Sequence, residues 1–151
     1  MRIEELSFRS GKEILAKQPE IYASVLAALV NAQAAYRKGA TSSEVNHLHR
    51  EFVAEGWIRN ARSEPSFSFL KDRVAIQIEY SRREYLFHSY LRFLAAYKLK
   101  EIDIAVLITP LKSRASRAQN KKVAASFASV EADLVWLHGI IKVPIWVVAL
   151  K

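Results

Sequence analysis

Two runs of mostly apolar residues constrain the fold of this chain more strongly than any other feature of its sequence. They are IDIAVLIT at residues 102–109 and VPIWVVAL at residues 143–150. Branched apolar side chains fill most of both runs, which is typical of strands that are buried on two faces. Because such strands need cover on each side, we predict a sheet with helices packed against it.

The spacing of apolar residues elsewhere in the chain predicts helices. The first covers residues 18–36 (QPEIYASVLAALVNAQAAY), and the second runs from the possible N-caps at residues 41–43 to a stop at Gly56. A third covers residues 83–98 (REYLFHSYLRFLAAYK), where apolar side chains recur every three or four positions. We predict a fourth helix over residues 121–138, between a basic loop and the last apolar run.

The stretch FSFLKDRVAIQIEY, at residues 67–80, joins two alternating runs through a charged pair. We predict a β-hairpin with its turn at residues 71–72, in which Phe67 and Phe69 alternate with serines. In the second strand, Gln77 and Glu79 stand among branched apolar residues, and the period of two puts both on the same side. A polar pair on a buried face costs free energy unless it is hydrogen-bonded, so this pair marks a candidate site.

The predicted order is helix, helix, hairpin, helix, strand, helix, strand. This order predicts an α/β or α+β fold, with a mixed central sheet flanked by helices. A chain of 151 residues with 51% hydrophobic content has the size of one globular domain with a sizeable core. We therefore predict a single domain over residues 1–151.

The charge of the chain favours a polyanionic partner. It carries 23 Lys and Arg against 15 Asp and Glu, which gives a net charge of +8. Nucleic acid is the leading candidate and a membrane surface is the second. No run is long enough for a membrane span and the N-terminus lacks an apolar signal core, so we expect a soluble, cytoplasmic protein with no membrane partner. Without cysteine, disulfides and thiolate chemistry are excluded.

With this order of hairpin, helix and strand, and with polar side chains on the inner face of the second hairpin strand, the chain resembles the PD-(D/E)XK nuclease superfamily. The segment FLKDRVAIQIEY, the aromatic helix and IDIAVLITP are similar to the BglII/BstYI group of type II restriction endonucleases. The likeness covers residues 67–110 and, more loosely, residues 143–150. It implies a restriction-endonuclease-like fold, cleavage of double-stranded DNA with Mg²⁺, and a homodimer.

The resemblance places the site of the family on three residues of this chain. Ser68 stands where the group has an Asp, Gln77 where it has the first acid of a Glu-x-Glu or Glu-x-Gln pair, and Glu79 at the second position. Phosphodiester hydrolysis uses a cation that neutralises developing charge, and Mg²⁺ prefers carboxylate oxygens. We therefore expect Glu79 to be the metal ligand, Ser68 and Gln77 to be weak catalytic auxiliaries, and the affinity of this degenerate site for Mg²⁺ to be low.

A nearby acid could replace the missing carboxylates. The candidates are Asp72 in the turn, Glu64 before the first hairpin strand, and Glu84 at the start of the helix that follows. Each would have to reach the face that carries Gln77 and Glu79.

A structural interpretation of the polar pair also stays open. Gln77 and Glu79 could lie on the solvated face of an edge strand, with Glu79 paired to Arg82 or Arg83. A surface pair of that kind stabilises a fold by ~0–1 kcal/mol and implies no function.

The segment LKSRASRAQNKK, at residues 111–122, is basic and contains no acid; its cations are Lys112, Arg114, Arg117, Lys121 and Lys122. The resemblance places DNA-contacting elements here, so we predict phosphate contacts, with a solvated basic loop as the alternative. Three functions remain open: a metal-dependent DNA endonuclease, a scaffold that has lost cleavage and grips DNA or a partner subunit, and an unrelated basic α/β domain.

Overall fold

The computed structural model describes residues 3–37, 43–60, 66–111 and 124–150. The elements in chain order are β1 (Ile3–Phe8), α1 (Gly11–Ala16), α2 (Pro19–Arg37), α3 (Glu44–Ala54), β2 (Ile58–Asn60), β3 (Phe67–Lys71), β4 (Val74–Ile78), α4 (Arg83–Lys98), β5 (Ile104–Ile108), α5 (Phe127–Trp136) and β6 (Ile145–Leu150). No helix among the described residues is both long enough and apolar enough to cross a bilayer.

The strands form a mixed sheet in the order β1-β6-β5-β4-β3-β2. The three central strands β4, β5 and β6 are parallel, whereas β1, β2 and β3 each pair antiparallel with a neighbour. Every residue of β5 and β6 is buried, as their continuous apolar runs predict. The predicted mixed sheet flanked by helices is therefore confirmed.

Two apolar layers cover the sheet. Side chains of one face, including Ile76, Val106 and Val148, pack with α2 and α3. Side chains of the other face, including Ala75 and Leu107, pack with α4 and α5. Alternation along each central strand distributes its residues between the two layers, and it decides which layer each polar residue enters.

The predicted hairpin forms, but its turn lies one residue later than the predicted residues 71–72, because Lys71 still belongs to β3. Asp72 and Arg73 both have positive φ, 47° and 64°, and they connect Lys71 to its partner Val74. A two-residue loop with two positive φ angles has the twist that matches antiparallel strands, and Asp tolerates this conformation.

Three short elements were not predicted: β1, α1 and β2. Helix α1 has only six residues and begins at Gly11, where a Cβ would lie 2.4 Å from the backbone carbon of Ile145. The close approach of α1 to β6 therefore requires glycine, a tertiary constraint that the local pattern does not contain.

The last helix begins later than predicted. It starts at Phe127, because the hydroxyl of Ser126 caps it by accepting a hydrogen bond from the backbone N–H of Ser129 at 3.3 Å. Ala124 and Ala125 precede the helix, and residues 121–123 lie outside the described part of the chain. The predicted span of 121–138 was therefore wrong at its start and two residues too long at its end.

Candidate active site

The candidate site lies where the chain leaves strand β4. The backbone N–H of Glu79 donates to the carbonyl of Ile108 at 2.9 Å, so the parallel ladder continues one residue beyond β4. Alternation then puts Gln77 and Glu79 on the side of Ala75, which faces α4 and α5. Gln77 is half-buried, and Glu79 is only 9% exposed.

Ser68 occupies a β-bulge in strand β3. Arg59 pairs with Phe69, but the next residue, Asn60, pairs with Phe67, so Ser68 is the extra residue of the ladder. As a result Phe69 joins the layer of α2 and α3, whereas Phe67 joins the opposite layer. There the ring of Phe67 stacks on that of Phe93, with 5.7 Å between the ring centroids. The regular alternation predicted for this strand was wrong at the bulge.

Ser68 and Gln77 are joined by reciprocal hydrogen bonds between β3 and β4. The backbone N–H of Ser68 donates to Oε1 of Gln77 at 3.2 Å, and the backbone N–H of Ile78 donates to Oγ of Ser68 at 3.0 Å. Each side chain thus satisfies a backbone donor where the bulge interrupts the regular ladder. We call this pair of bonds the Ser68–Gln77 clamp.

Glu79 is bound by neutral donors. Its Oε1 accepts hydrogen bonds from the backbone N–H of Ser81 at 2.9 Å and from the hydroxyl of Ser81 at 2.6 Å. These bonds turn the chain out of the sheet and towards α4, which begins at Arg83. The carboxylate is buried beside a tight turn.

The arginines after Glu79 pair with other acids. Arg82 contacts Glu84 at 3.0 Å, and Arg83 contacts Asp133 at 2.6 Å. The interpretation of Glu79 as half of a solvated ion pair with either arginine was therefore wrong.

Two of the three acids proposed as replacements are not brought to the site. Glu84 is exposed and paired with Arg82, while Asp72 lies exposed in the turn at the other end of the hairpin. Glu64 lies outside the described residues.

Asp133 forms a second polar cluster, between α4 and α5. It is fully buried, with Arg83 on Oδ1 and the hydroxyl of Tyr90 donating to Oδ2 at 3.2 Å. Burial, together with the negative charge of Asp133, raises the pKa of Tyr90 well above its usual range. The sequence suggested no role for Asp133, because nothing in its pattern distinguishes it from Glu131 two positions earlier in the same helix.

Thr109 was also missed, although it ends the apolar run of β5. The parallel register pairs Ile78 with Ile108, so Thr109 is the neighbour of Glu79 across the ladder. Its side chain is fully buried, and its hydroxyl has no hydrogen-bond partner among the described residues. The sequence does contain a signal for Thr109, because it is a polar residue that directly follows a buried strand and precedes Pro110.

The chain returns to this site after β5. The backbone N–H of Phe127 donates to the carbonyl of Pro110 at 2.9 Å, and that of Ala125 donates to the carbonyl of Ser81 at 3.3 Å. The polypeptide therefore leaves the described structure at Leu111 and re-enters it at Ala124, beside the turn that follows Glu79. The five predicted phosphate-contacting cations between these points lie outside the described residues: Lys112, Arg114, Arg117, Lys121 and Lys122.

The donor set at the candidate site does not fit a magnesium ion. No group of three or more His, Asp or Glu side chains that could hold a metal occurs in the described part of the chain. Of the three predicted positions, Glu79 alone is an acid, and the Gln77 and Ser68 oxygens already accept backbone hydrogen bonds. Mg²⁺ requires near-octahedral oxygen coordination and is normally held by carboxylates.

Comparison with known proteins agrees with this architecture. Residues 3–150 match the family model described as restriction endonuclease BglII/BglIII. The chain belongs to this restriction endonuclease family. Restriction endonucleases generally use Mg²⁺.

Two crystal structures of BglII show the same fold. One is complexed with a DNA 16-mer, with a TM-score of 0.76 and 17% identity over 99% of this chain and 76% of that chain. The other is free BglII, with a TM-score of 0.62 and 18% identity over 100% of this chain and 80% of that chain. No curated protein matched the sequence.

Proposed function

We propose that this protein binds double-stranded DNA, as a single restriction-endonuclease-like domain over residues 1–151. Membership of a restriction endonuclease family supports this proposal, and so does the fold shared with a BglII structure that contains DNA. The net charge of +8 is also suited to a polyphosphate partner.

The basic segment that includes Lys112, Arg114 and Arg117 would supply phosphate contacts. The described residues that flank it lie beside the turn after Glu79, which supports contacts between its cations and a duplex lying over the site. If its five cations each contact a phosphate, binding should weaken a few hundred-fold between 50 and 200 mM salt, from a slope of about −0.9 per contact. Fluorescence anisotropy with a labelled duplex would measure this.

Replacing Lys112, Arg114 and Arg117 together by Gln should remove three phosphate contacts. The slope of log affinity against log salt should then become shallower by about 2.7. The matched control replaces Arg50, Arg73 and Arg92, which lie elsewhere on the fold. An unchanged slope in the first variant would show that the segment does not contact DNA.

Two chemical outcomes are possible for the bound duplex. One is slow cleavage, with Glu79 as the metal ligand and Ser68 and Gln77 as weak auxiliaries. The other is binding without cleavage, either of DNA or of a partner subunit. The Ser68–Gln77 clamp favours the second, because it uses for strand pairing the oxygens that would otherwise be available to a cation.

A plasmid nicking assay with Mg²⁺ and with Mn²⁺ separates the two outcomes. For a binding protein we expect a retarded duplex and no nicking above the level of the Glu79→Ala variant. Nicking that disappears in Glu79→Ala would instead establish a weak endonuclease. Absence of duplex binding at low salt would contradict both outcomes.

We further propose that the protein is a homodimer that buries an apolar patch on α4 and α5. Leu91 and Trp136 are 64% and 62% exposed, and Phe87 lies between them, 6.4 Å from the Trp136 ring. Large apolar side chains grouped on a surface are typical of interaction sites. Sedimentation velocity should show a dimer for the native chain and a monomer for Leu91→Glu/Trp136→Glu, whereas Leu99→Glu, at another exposed leucine, should stay dimeric.

A further inference from the structure

A cleft of about 720 Å³ lies at the end of the sheet away from Glu79. It is bounded by the residues that precede β4 and β5 and by the C-terminal end of α4. Its lining includes four apolar or aromatic residues, Leu94, Tyr97, Ile102 and Ile140, and five exposed charged residues that we call its rim, Arg73, Lys98, Lys100, Asp103 and Lys142. Arg73 and Glu79 are separated by the length of β4, which is about 20 Å at ~3.3 Å per residue.

The one acid that lines this cleft is already neutralised. Nε and Nη2 of Arg73 contact the two carboxylate oxygens of Asp103, at 2.8 and 2.7 Å. Lys98, Lys100 and Lys142 form no ion pair within the described residues. The rim therefore presents three ammonium groups with no acid among the lining residues left to balance them.

Backbone hydrogen bonds fix the wall of the cleft. Nη1 of Arg73 donates to the carbonyl of Lys100, which has a φ of 59°. The backbone N–H of Glu101 donates to the carbonyl of Ala96 at 2.9 Å, and that of Asp103 donates to the carbonyl of Arg73 at 2.8 Å. A wall that is ordered in advance reduces the entropy lost when a ligand binds.

We propose that this cleft binds a small organic anion that combines an apolar body with a phosphate or carboxylate group. The volume lies in the usual range for small-molecule sites, which pair an apolar lining with a few convergent polar groups. The apolar body would contact Ile102 and Ile140, while the lysine ammonium groups would attract the anion.

The charge of the rim argues against a second copy of the chain as the occupant. A two-fold contact centred on the cleft would bring Lys98 and Lys142 of one copy towards the same lysines of the other. The patch around Leu91 and Trp136 adjoins the cleft, because Leu94 and Ile140 also line the groove beside Phe87 and Leu91.

Isothermal titration of the full chain with 1-naphthyl phosphate and with 1-naphthaleneacetate tests the proposal and distinguishes the two anionic groups. We expect at least one of them to bind, and 1-naphthol and inorganic phosphate to bind more weakly, since each offers half of the recognition. Lys98→Gln/Lys142→Gln should bind about tenfold more weakly. Ile140→Ser should also weaken binding, whereas the control Lys12→Gln/Lys17→Gln, with the same change in net charge, should not.

Three results would overturn the proposal. The first is that neither naphthyl anion binds the native chain at about millimolar concentration. The second is equal affinity in Lys98→Gln/Lys142→Gln and in its control. The third is displacement of the naphthyl ligand by duplex DNA, which would assign these lysines to the DNA-binding surface.

Discussion

Two buried carboxylates belong to the layer between the sheet and helices α4 and α5, and their surroundings differ. Asp133 is held by the guanidinium of Arg83 and the hydroxyl of Tyr90. Glu79 accepts bonds from the backbone and hydroxyl of Ser81, and no Lys or Arg in the described structure pairs with it.

The nature of the partner distinguishes a carboxylate that stabilises the fold from one whose surroundings are typical of a functional site. A carboxylate that is buried with a cation acts as a cross-link, here between α4 and α5. A carboxylate that is buried with neutral donors keeps an uncompensated charge, which costs free energy and is typical of functional sites. Among the described residues Glu79 has only neutral partners, while Ser68 and Gln77 contribute to strand pairing.

The largest expected effect comes from the same substitution at the two acids. Asp133→Asn should lower the free energy of unfolding by about 3 kcal/mol, at the lower end for a broken buried pair because Arg83 is 37% exposed. Glu79→Gln should change it by less than about 1 kcal/mol, since an amide oxygen still accepts from Ser81 and the loss of a buried charge offsets the weaker hydrogen bond. Urea denaturation measures the free energy of unfolding of both variants. Equal losses in the two would show that the two carboxylates do not differ in their contribution to stability.

The second prediction concerns the addition of two carboxylates beside Glu79. Ser68→Asp/Gln77→Glu should raise the affinity for Mg²⁺ by at least about tenfold, because it surrounds the cation with three carboxylates. Titration calorimetry with Mg²⁺ measures this without any nuclease assay. The control Asn31→Asp/Asn46→Asp adds the same charge at exposed positions of α2 and α3, on the opposite face of the sheet, and should leave the affinity unchanged.

A third prediction concerns the Ser68–Gln77 clamp. Ser68→Ala and Gln77→Ala should each cost about 1 kcal/mol of unfolding free energy, because each leaves one backbone N–H without its acceptor. The double variant should cost less than the sum, since the two bonds hold the same pair of strands. Strict additivity in urea denaturation would show that the two bonds act independently.

The smallest effect should come from the exposed pair Arg73–Asp103. The Arg73 hydrogen bond holds the pKa of Asp103 below its ordinary value of 3.8. The pair therefore stabilises the fold above pH 3.8, and this contribution is lost as the pH falls through the lowered pKa. Both partners are about half exposed, so the melting temperature of Asp103→Asn should be only slightly lower than native at neutral pH and should converge with it in acid.

Periodicity predicted the long elements of the fold. The central strands and the helices around residues 18–36 and 83–98 were confirmed, because their apolar faces are wide enough to define a period. Strands β1 and β2 and helix α1 were missed because they are short and depend on tertiary contacts. Strand β1 mixes Glu4 and Glu5 with apolar residues, and it is stabilised by its pairing with β6.

The candidate site could be located from the sequence, but its bonding could not. Alternation put Gln77 and Glu79 on one side of β4. It could not show the bulge at Ser68, because an extra residue is defined only by the register of the neighbouring strand. That register decides which side-chain oxygens already accept a backbone hydrogen bond. The predicted catalytic and metal-binding roles of Ser68, Gln77 and Glu79 therefore stay predictions.

The strand order also has a consequence for synthesis. Strand β1 is synthesised well before its partner β6, with Ile3 opposite Leu150 in the finished sheet. A nascent chain therefore carries β1 unpaired until β6 has also emerged from the ribosome. Such long-range closure slows folding and leaves an open edge exposed to other chains during translation.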